Sequence, residues 1–227
     1  MKRTQGSVRS WLMVALAAST LLGCASMNAK TKGAIIGAGA GGVAGGVIGK
    51  QAGSTATGAI IGAVVGGTAG AIIGHQMDQQ AKELKQNIPG ATVTRVGEGI
   101  QVTFDSGLMF PFDSDELRVA ARTNLSALAA SLNKYPDSDL MIVGHTDDIG
   151  SYSYNLGLSQ RRASSASRYL RSQGVSRAIE TLGRGETEPI ASNASEDGRE
   201  QNRRVEVAIY ASEALRRAAI REAGGPS

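Results

Sequence analysis

Oppositely charged groups stand at a spacing that suits a small charged ligand. The run Leu140-Met-Ile-Val143 ends at Gly144 and leads into His145-Thr-Asp-Asp148; after a short loop come Asn155-Leu-Gly-Leu-Ser-Gln-Arg-Arg-Ala163. A carboxylate at the carboxyl end of a strand and an arginine on the next helix can sit face to face. Such a pair fits a zwitterion, the carboxylate taking its ammonium and the guanidinium taking its carboxylate through two parallel hydrogen bonds. Asp147 and Asp148 are both candidates for the acid, although Asp in a loop often only caps a turn. Adjacent helical positions point about 100° apart, so only one of Arg161 and Arg162 faces a given pocket. Catalysis finds less material. The chain holds two histidines, His75 and His145, and one cysteine, Cys24. His145 reads as a strand-end residue that steadies the loop, and His75, without ligand-type neighbours, as a polar cap. A hydrolase built on His145, Asp147 and Ser159 has no second histidine nearby and no metal-ligand set. The expectation is a binding protein rather than an enzyme, with no metal and no cofactor.

These groups need a scaffold, and the alternating periodicities after residue 90 supply one. Residues 91–96 and 100–104 are β-branched runs separated by Gly97-Glu-Gly99, a hairpin signal. A helix is expected from Ser114, with Leu117, Ala121, Leu125, Leu128 and Leu132 on one stripe, ending at Tyr135-Pro136-Asp137. The strand 140–143 follows, then a helix over 154–172 stopped by Gly174, a short strand at 179–182, a polar stretch, a strand at 205–209 and a terminal helix or frayed end over 215–222. Strands alternating with helices predict an α/β sandwich, a mixed sheet with helices on one face. Arg203 and Arg204 alternate across the last strand, so that one braces Glu206 or the pocket floor.

The chain before residue 88 differs in kind. Of 30 glycines in 227 residues, 15 fall within 33–75. They do not recur every third residue, which excludes a collagen-like fibre. Gly33–Gly49 recurs at an offset of 25 as Gly58–Gly74, with glycine at every fourth position in each copy. That period places glycine along one helical stripe and lets two backbones approach closely. The expectation is a helical hairpin of two copies joined by a polar turn at 51–57, inserted in membrane or packed against copies of itself. A short connector helix over 76–87 stops at Asn87-Ile-Pro-Gly90. At the amino terminus, Lys2, Arg3 and Arg9 precede an uncharged, mostly apolar run over 11–22. Twelve residues of helix span about 18 Å, too short for a bilayer core of about 30 Å, and the pattern is that of an export signal. Removing those three basic residues turns 24 basic against 20 acidic (+4) into 21 against 20 (+1), so charge gives no argument for a nucleic-acid partner.

Several motifs carry resemblance. Leu21-Leu-Gly-Cys24 resembles the lipobox of bacterial lipoproteins, which implies cleavage after Gly23 and acyl chains on Cys24. Ala25 is not the Asp associated with inner-membrane retention, which implies the outer membrane. The duplicated segment resembles the glycine zippers of envelope lipoproteins. His145-Thr-Asp147 with Gly150, Asn155-x-x-Leu158-Ser159-x-x-Arg162-Ala163, Gly183-x-Gly185-Glu186-x-x-Pro189-Ile190-x-x-Asn193 and Gly198-Arg-x-x-Asn202-Arg-Arg-Val205-Glu206 resemble the OmpA-like domain over about residues 99–210. Together the three parts look like the YiaD-type outer-membrane lipoproteins. The resemblance implies non-covalent binding of peptidoglycan through the diaminopimelate of its stem peptide, by a domain facing the periplasm. Asp147 would meet the ammonium and Arg162 the carboxylate, with Asn155 and Leu158 lining the pocket. Asp113 or its neighbour Ser114 would contribute from the loop Phe110-Pro-Phe-Asp-Ser-Asp115. The implied organisation is a signal peptide at 1–23, a lipidated linker at 24–32, the glycine segment at 33–75, the connector at 76–87 and the OmpA-like domain at 88–227. A homo-oligomer through the glycine segment, or a pore with wall binding secondary, is the competing reading.

Overall fold

The computed structural model describes residues 53–224. The expected export segment, Cys24 and the first glycine copy lie outside the described residues. In chain order the elements are α1 (Thr55–Gly62), α2 (Gly67–Asn87), β1 (Ala91–Val96), β2 (Gly99–Asp105), α3 (Ser106–Met109), α4 (Val119–Lys134), β3 (Ser138–His145), α5 (Tyr152–Ser172), β4 (Ile179–Gly185), α6 (Glu196–Asn202), β5 (Arg204–Ala211) and α7 (Glu213–Ala223). The strands form one mixed sheet in the order β1-β2-β5-β3-β4, with β3 and β4 parallel and every other pair antiparallel. The mixed α/β sandwich expected from the sequence is therefore the fold. The hairpin turn falls at Gly97-Glu98, with Val96 opposite Gly99.

Period-two alternation sends the side chains of each strand to two faces. On β3, Leu140 and Ile142 join the main core with Leu125, Leu128 and Leu132 of α4, Ala163, Ala166 and Leu170 of α5, and the apolar stripe of α2. Met141 and Val143 point the other way and pack with Ala208 and Tyr210 of β5 against Ala56, Ala59, Ile60 and Ala63. Helices thus cover both faces of the sheet, where the sequence led us to expect one. The extra layer is α1, which comes from the glycine segment.

That segment departs from expectation in two ways. Gly58–Gly74 is not one helix: it breaks between α1 and α2, where Gly66 and Gly67 take φ of 77° and 62°, a left-handed conformation that glycine adopts without strain. The Glu98 carboxylate, on the hairpin turn, accepts the amides of Val65 (2.8 Å) and Gly66 (2.7 Å) at the start of α2, as suits a helix amino terminus. Nor does the segment end at residue 75. α2 runs unbroken across that point, and Ile73, Met77, Ala81, Leu84 and Ile88 belong to the same core as the strands. A spacing of three and four makes these residues one face, and their burial ties 67–88 to the domain placed after residue 88. A straight helix cannot lie on both faces of a sheet, which is why the second glycine copy bends. Among the described residues, no helix is long and apolar enough to cross a membrane.

The helix expected from Ser114 starts at Val119 instead, because Asp113 takes φ 56° and residues 114–118 form a loop. α5 lies close on the parallel strands at two glycines. A Cβ at Gly144 would collide with the Ser159 carbonyl, and one at Gly183 would stand 2.5 Å from the Gln160 nitrogen. This approach fixes the rotation of α5 and so decides which of its residues face the carboxyl end of β3.

Candidate functional site

At that end of β3 lies a cleft of about 500 Å³. Asp113, Asp147, Asn155, Leu158 and Arg162 all line it, although they come from three separate stretches of chain. Each is placed by its element. Asp147 follows β3 and is buried, its Oδ1 accepting the Ile149 amide at 3.1 Å in an Asx-type turn. Asn155, Leu158 and Arg162 occupy successive turns of α5 and are buried on the cleft side, whereas Arg161 turns outward and stands 3.9 Å from Asp115. Asp113 is the one non-glycine residue with positive φ among the described residues, and this exposes it at the cleft mouth beside Phe112. Ser114 has a different part: its carbonyl accepts Arg162 Nε at 2.9 Å, and its Oγ accepts the Glu116 amide.

The two charges are prepared differently. The Arg162 guanidinium lies 5.2 Å from the centroid of the Phe110 ring, a cation–π contact, and among the described residues its two Nη groups make no hydrogen bond to protein. Burial lowers its pKa while Asp113, Asp115 and Asp147 act to raise it, and a guanidinium stays protonated in any case. Its terminal edge is open to a carboxylate. Asp147 is already engaged. Its Oδ2 accepts Arg203 Nη1 at 2.7 Å, and Arg203 Nη2 donates to Glu196 Oε1 at 2.8 Å. Glu196 in turn accepts Arg199 Nη2 at 2.6 Å. The side-chain hydrogen bonds from Arg203 and Arg199 hold the Glu196 carboxyl below its ordinary range. For Arg203, burial works against the charge, but Asp147 and Glu196 outweigh it and raise the pKa. Asn155 braces the loop: its Nδ2 donates to Glu186 Oε2 at 2.6 Å and to the Asp147 carbonyl at 3.3 Å.

Comparison with known proteins identifies the family. Residues 109–203 match the OmpA family, and residues 1–78 match the YMGG-like Gly-zipper family. The probable lipoprotein YiaD of Escherichia coli K12 is 36% identical over 138 residues, covering 60% of this chain and 63% of that protein, so this chain spans under two thirds of it. A peptidoglycan-associated lipoprotein of Buchnera aphidicola is 33% identical over 135 residues, covering 59% of this chain and 78% of that protein. The chain belongs to the OmpA family. Among solved structures, the cell wall anchor of the T6SS from Pseudomonas aeruginosa is 29% identical, with a TM-score of 0.50 over 62% of this chain and 97% of that one.

Within this OmpA-family domain, the sequence left part of the cleft unassigned. Arg203 stood only as a secondary candidate, and Glu196, Arg199, Phe110, Phe112 and Tyr154 went unassigned, yet all line the cleft. A signal was available: Glu196, Arg199 and Arg203 are spaced three and four apart, one face of a helix that the polar stretch concealed. Arg204 is the residue that braces Glu206, its Nε donating to Oε1 at 2.7 Å. His145 and Ser159, the other members of the hydrolase alternative, do not line the cleft. His145 is buried beside Glu206, and Ser159 Oγ donates to the Leu156 carbonyl and accepts the Gly185 amide. Among the described residues, no group of His, Cys, Asp and Glu is placed to hold a metal ion.

Proposed function

We propose that this chain is a lipoprotein that ties the outer membrane to the cell wall, its domain facing the periplasm and binding peptidoglycan without covalent bonds. The observation that carries the reading is the convergence of Asp113, Asp147, Asn155, Leu158 and Arg162 on one cleft in which Arg162 keeps two unengaged Nη groups. The doubly charged tip of diaminopimelate suits such a cleft. Its carboxylate meets Arg162 in a two-pronged hydrogen bond, and its ammonium meets Asp147, where it competes with Arg203. Leu158 lines the apolar wall for the methylene chain, and Asp113 adds a second acid at the mouth. Relatives named as peptidoglycan-associated lipoprotein and as cell wall anchor support the same target. Residues 1–23 serve as signal peptide, Cys24 carries the acyl chains, and the binding role needs no enzymatic step.

The test is co-sedimentation of the full mature chain with purified peptidoglycan. Charge-assisted hydrogen bonds contribute about 1.5–3 kcal/mol each, so Arg162→Ala or Asp147→Ala should lower affinity at least tenfold. The circular dichroism spectrum should stay native in both. Undiminished co-sedimentation by both variants would remove this cleft as the wall site.

A further inference from the structure

One turn of chain serves both the cleft and the helix that came from the glycine segment. β4 leads into a turn at 184–188, where Thr187 donates its amide and its hydroxyl to the Arg184 carbonyl. The two carboxylates of this turn face opposite ways. Glu186 reaches Asn155 of the cleft wall, accepting its Nδ2 hydrogen bond at 2.6 Å. Glu188 is buried and reaches α1, where its Oε2 accepts the Thr55 amide at 3.0 Å and its Oε1 accepts the Thr55 hydroxyl at 2.5 Å. Arg184 closes the latch, its Nε lying 2.8 Å from Thr55 Oγ1 and 3.2 Å from Glu188 Oε1. The Glu188 carbonyl accepts Arg204 Nη2, and the next residues of the loop, Ile190 and Ala191, donate their amides to Asn202 Oδ1. Asn202 immediately precedes Arg203, the partner of Asp147. Both supports of Asp147, the Asn155 bond to its carbonyl and the Arg203 pair at its carboxylate, therefore lead back to the segment that Thr55 holds.

We infer that Glu188 and Thr55 are positioning residues for the cleft: docking of α1 through the Thr55–Glu188 latch sets the 184–191 segment, and with it Asn155 and Asp147, in the binding geometry. The inference rests on the wall-binding reading of the cleft. It makes the amino-terminal tether part of the site, since any pull transmitted to α1 loads this latch. It is also reciprocal, because two sites that share one equilibrium must stabilise each other by the same factor. A ligand in the cleft must then hold α1 down.

The experiment is hydrogen–deuterium exchange on the full chain with and without meso-diaminopimelate, together with titration of that ligand. Occupancy of the cleft should slow exchange at residues 147–162 and also at residues 55–62, on the far side of the latch. Thr55→Val, which deletes the hydroxyl and keeps the shape, should weaken ligand binding about five- to tenfold and uncouple the two exchange effects. Thr55→Ser should restore both. Glu188→Gln serves as a second variant that perturbs the same latch from the loop side. Protection at 147–162 with unchanged exchange at 55–62 would overturn the inference and leave the wall-binding reading intact. Failure of the ligand to protect 147–162 at all would overturn that reading, and this inference with it.

Discussion

Arg203 and Arg204 are neighbours in sequence and belong to two regions with opposite electrostatics. Arg203 enters the cleft, where its side chain keeps 32% of its exposure and shares Asp147 and Glu196. Arg204 turns under α1, where it is 2% exposed and its pair with Glu206 is equally buried. The cleft keeps its charges compensated yet reachable, so a ligand can exchange partners with them. The region beneath α1 keeps its charges buried, with Arg204 and Glu206 paired to each other. Between these two neighbours of one residue type, exposure separates the arginine that a ligand can reach from the one that it cannot.

The sharpest break of this comparison is truncation of each arginine in turn. Arg204→Ala strands the Glu206 carboxylate in the interior and should cost about 3–5 kcal/mol of stability, read from urea denaturation. Arg203→Ala leaves one exposed partner, Glu196, and one largely buried at the wall of the open cleft, Asp147, so it should cost less than Arg204→Ala, about 1–3 kcal/mol by the same measurement. Equal losses at the two positions would erase the distinction.

Acid should act first on the buried region. Burial pushes the His145 imidazole below its ordinary value of 6.5, against the opposing pull of Glu206, so the folded chain holds it neutral. The unfolded chain takes up that proton first. Stability from this group is therefore full above about pH 6.5 and falls below it, by at most about 1.4 kcal/mol per pH unit. Burial raises the Glu206 carboxyl, but His145 and Arg204 outweigh it and hold it down to about 2, so a second loss begins below about pH 4.5. Urea midpoints at pH 7.5 and 5.5 should differ in the native chain. His145→Gln should flatten that difference and, because it removes one of the groups that hold the Glu206 carboxyl down, shrink the lower limb as well.

The smallest expected effect lies at the cleft mouth. Phe112 is 99% exposed, so Phe112→Ser should leave the urea midpoint within about 0.5 kcal/mol of the native value. A larger loss would show that the mouth is structural and blur the contrast with the covered face.

Much of the domain was legible before any coordinates. The hairpin, the stripe of Leu125, Leu128 and Leu132, and the strands of the sheet follow from short-range periodicity, because the neighbours that bury each residue repeat every two or every three to four positions. That an acid after the strand and an arginine on the next helix adjoin was legible, because a strand end and the following helix lie side by side; the choice of Asp147 and Arg162 came from the family resemblance. The short helix at Glu196–Asn202 was not, since its few polar residues give no apolar stripe, and with it went Glu196 and Arg199. The glycine period was legible as well, but it pointed toward a continuous helix and away from the stripe of Ile73, Met77, Ala81, Leu84 and Ile88 that crosses it.

What the sequence determines by itself is therefore local: which strongly periodic segments become strands and helices, and which charges stand at their ends. What only the tertiary structure decided is partnership. Arg203 could reach Asp147, and Thr55 could reach Glu188 across 133 positions of chain, only because the sheet brought those segments together. No periodicity encodes such contacts. They follow from which face of the sheet each helix covers, and that choice is made by all the apolar surface at once.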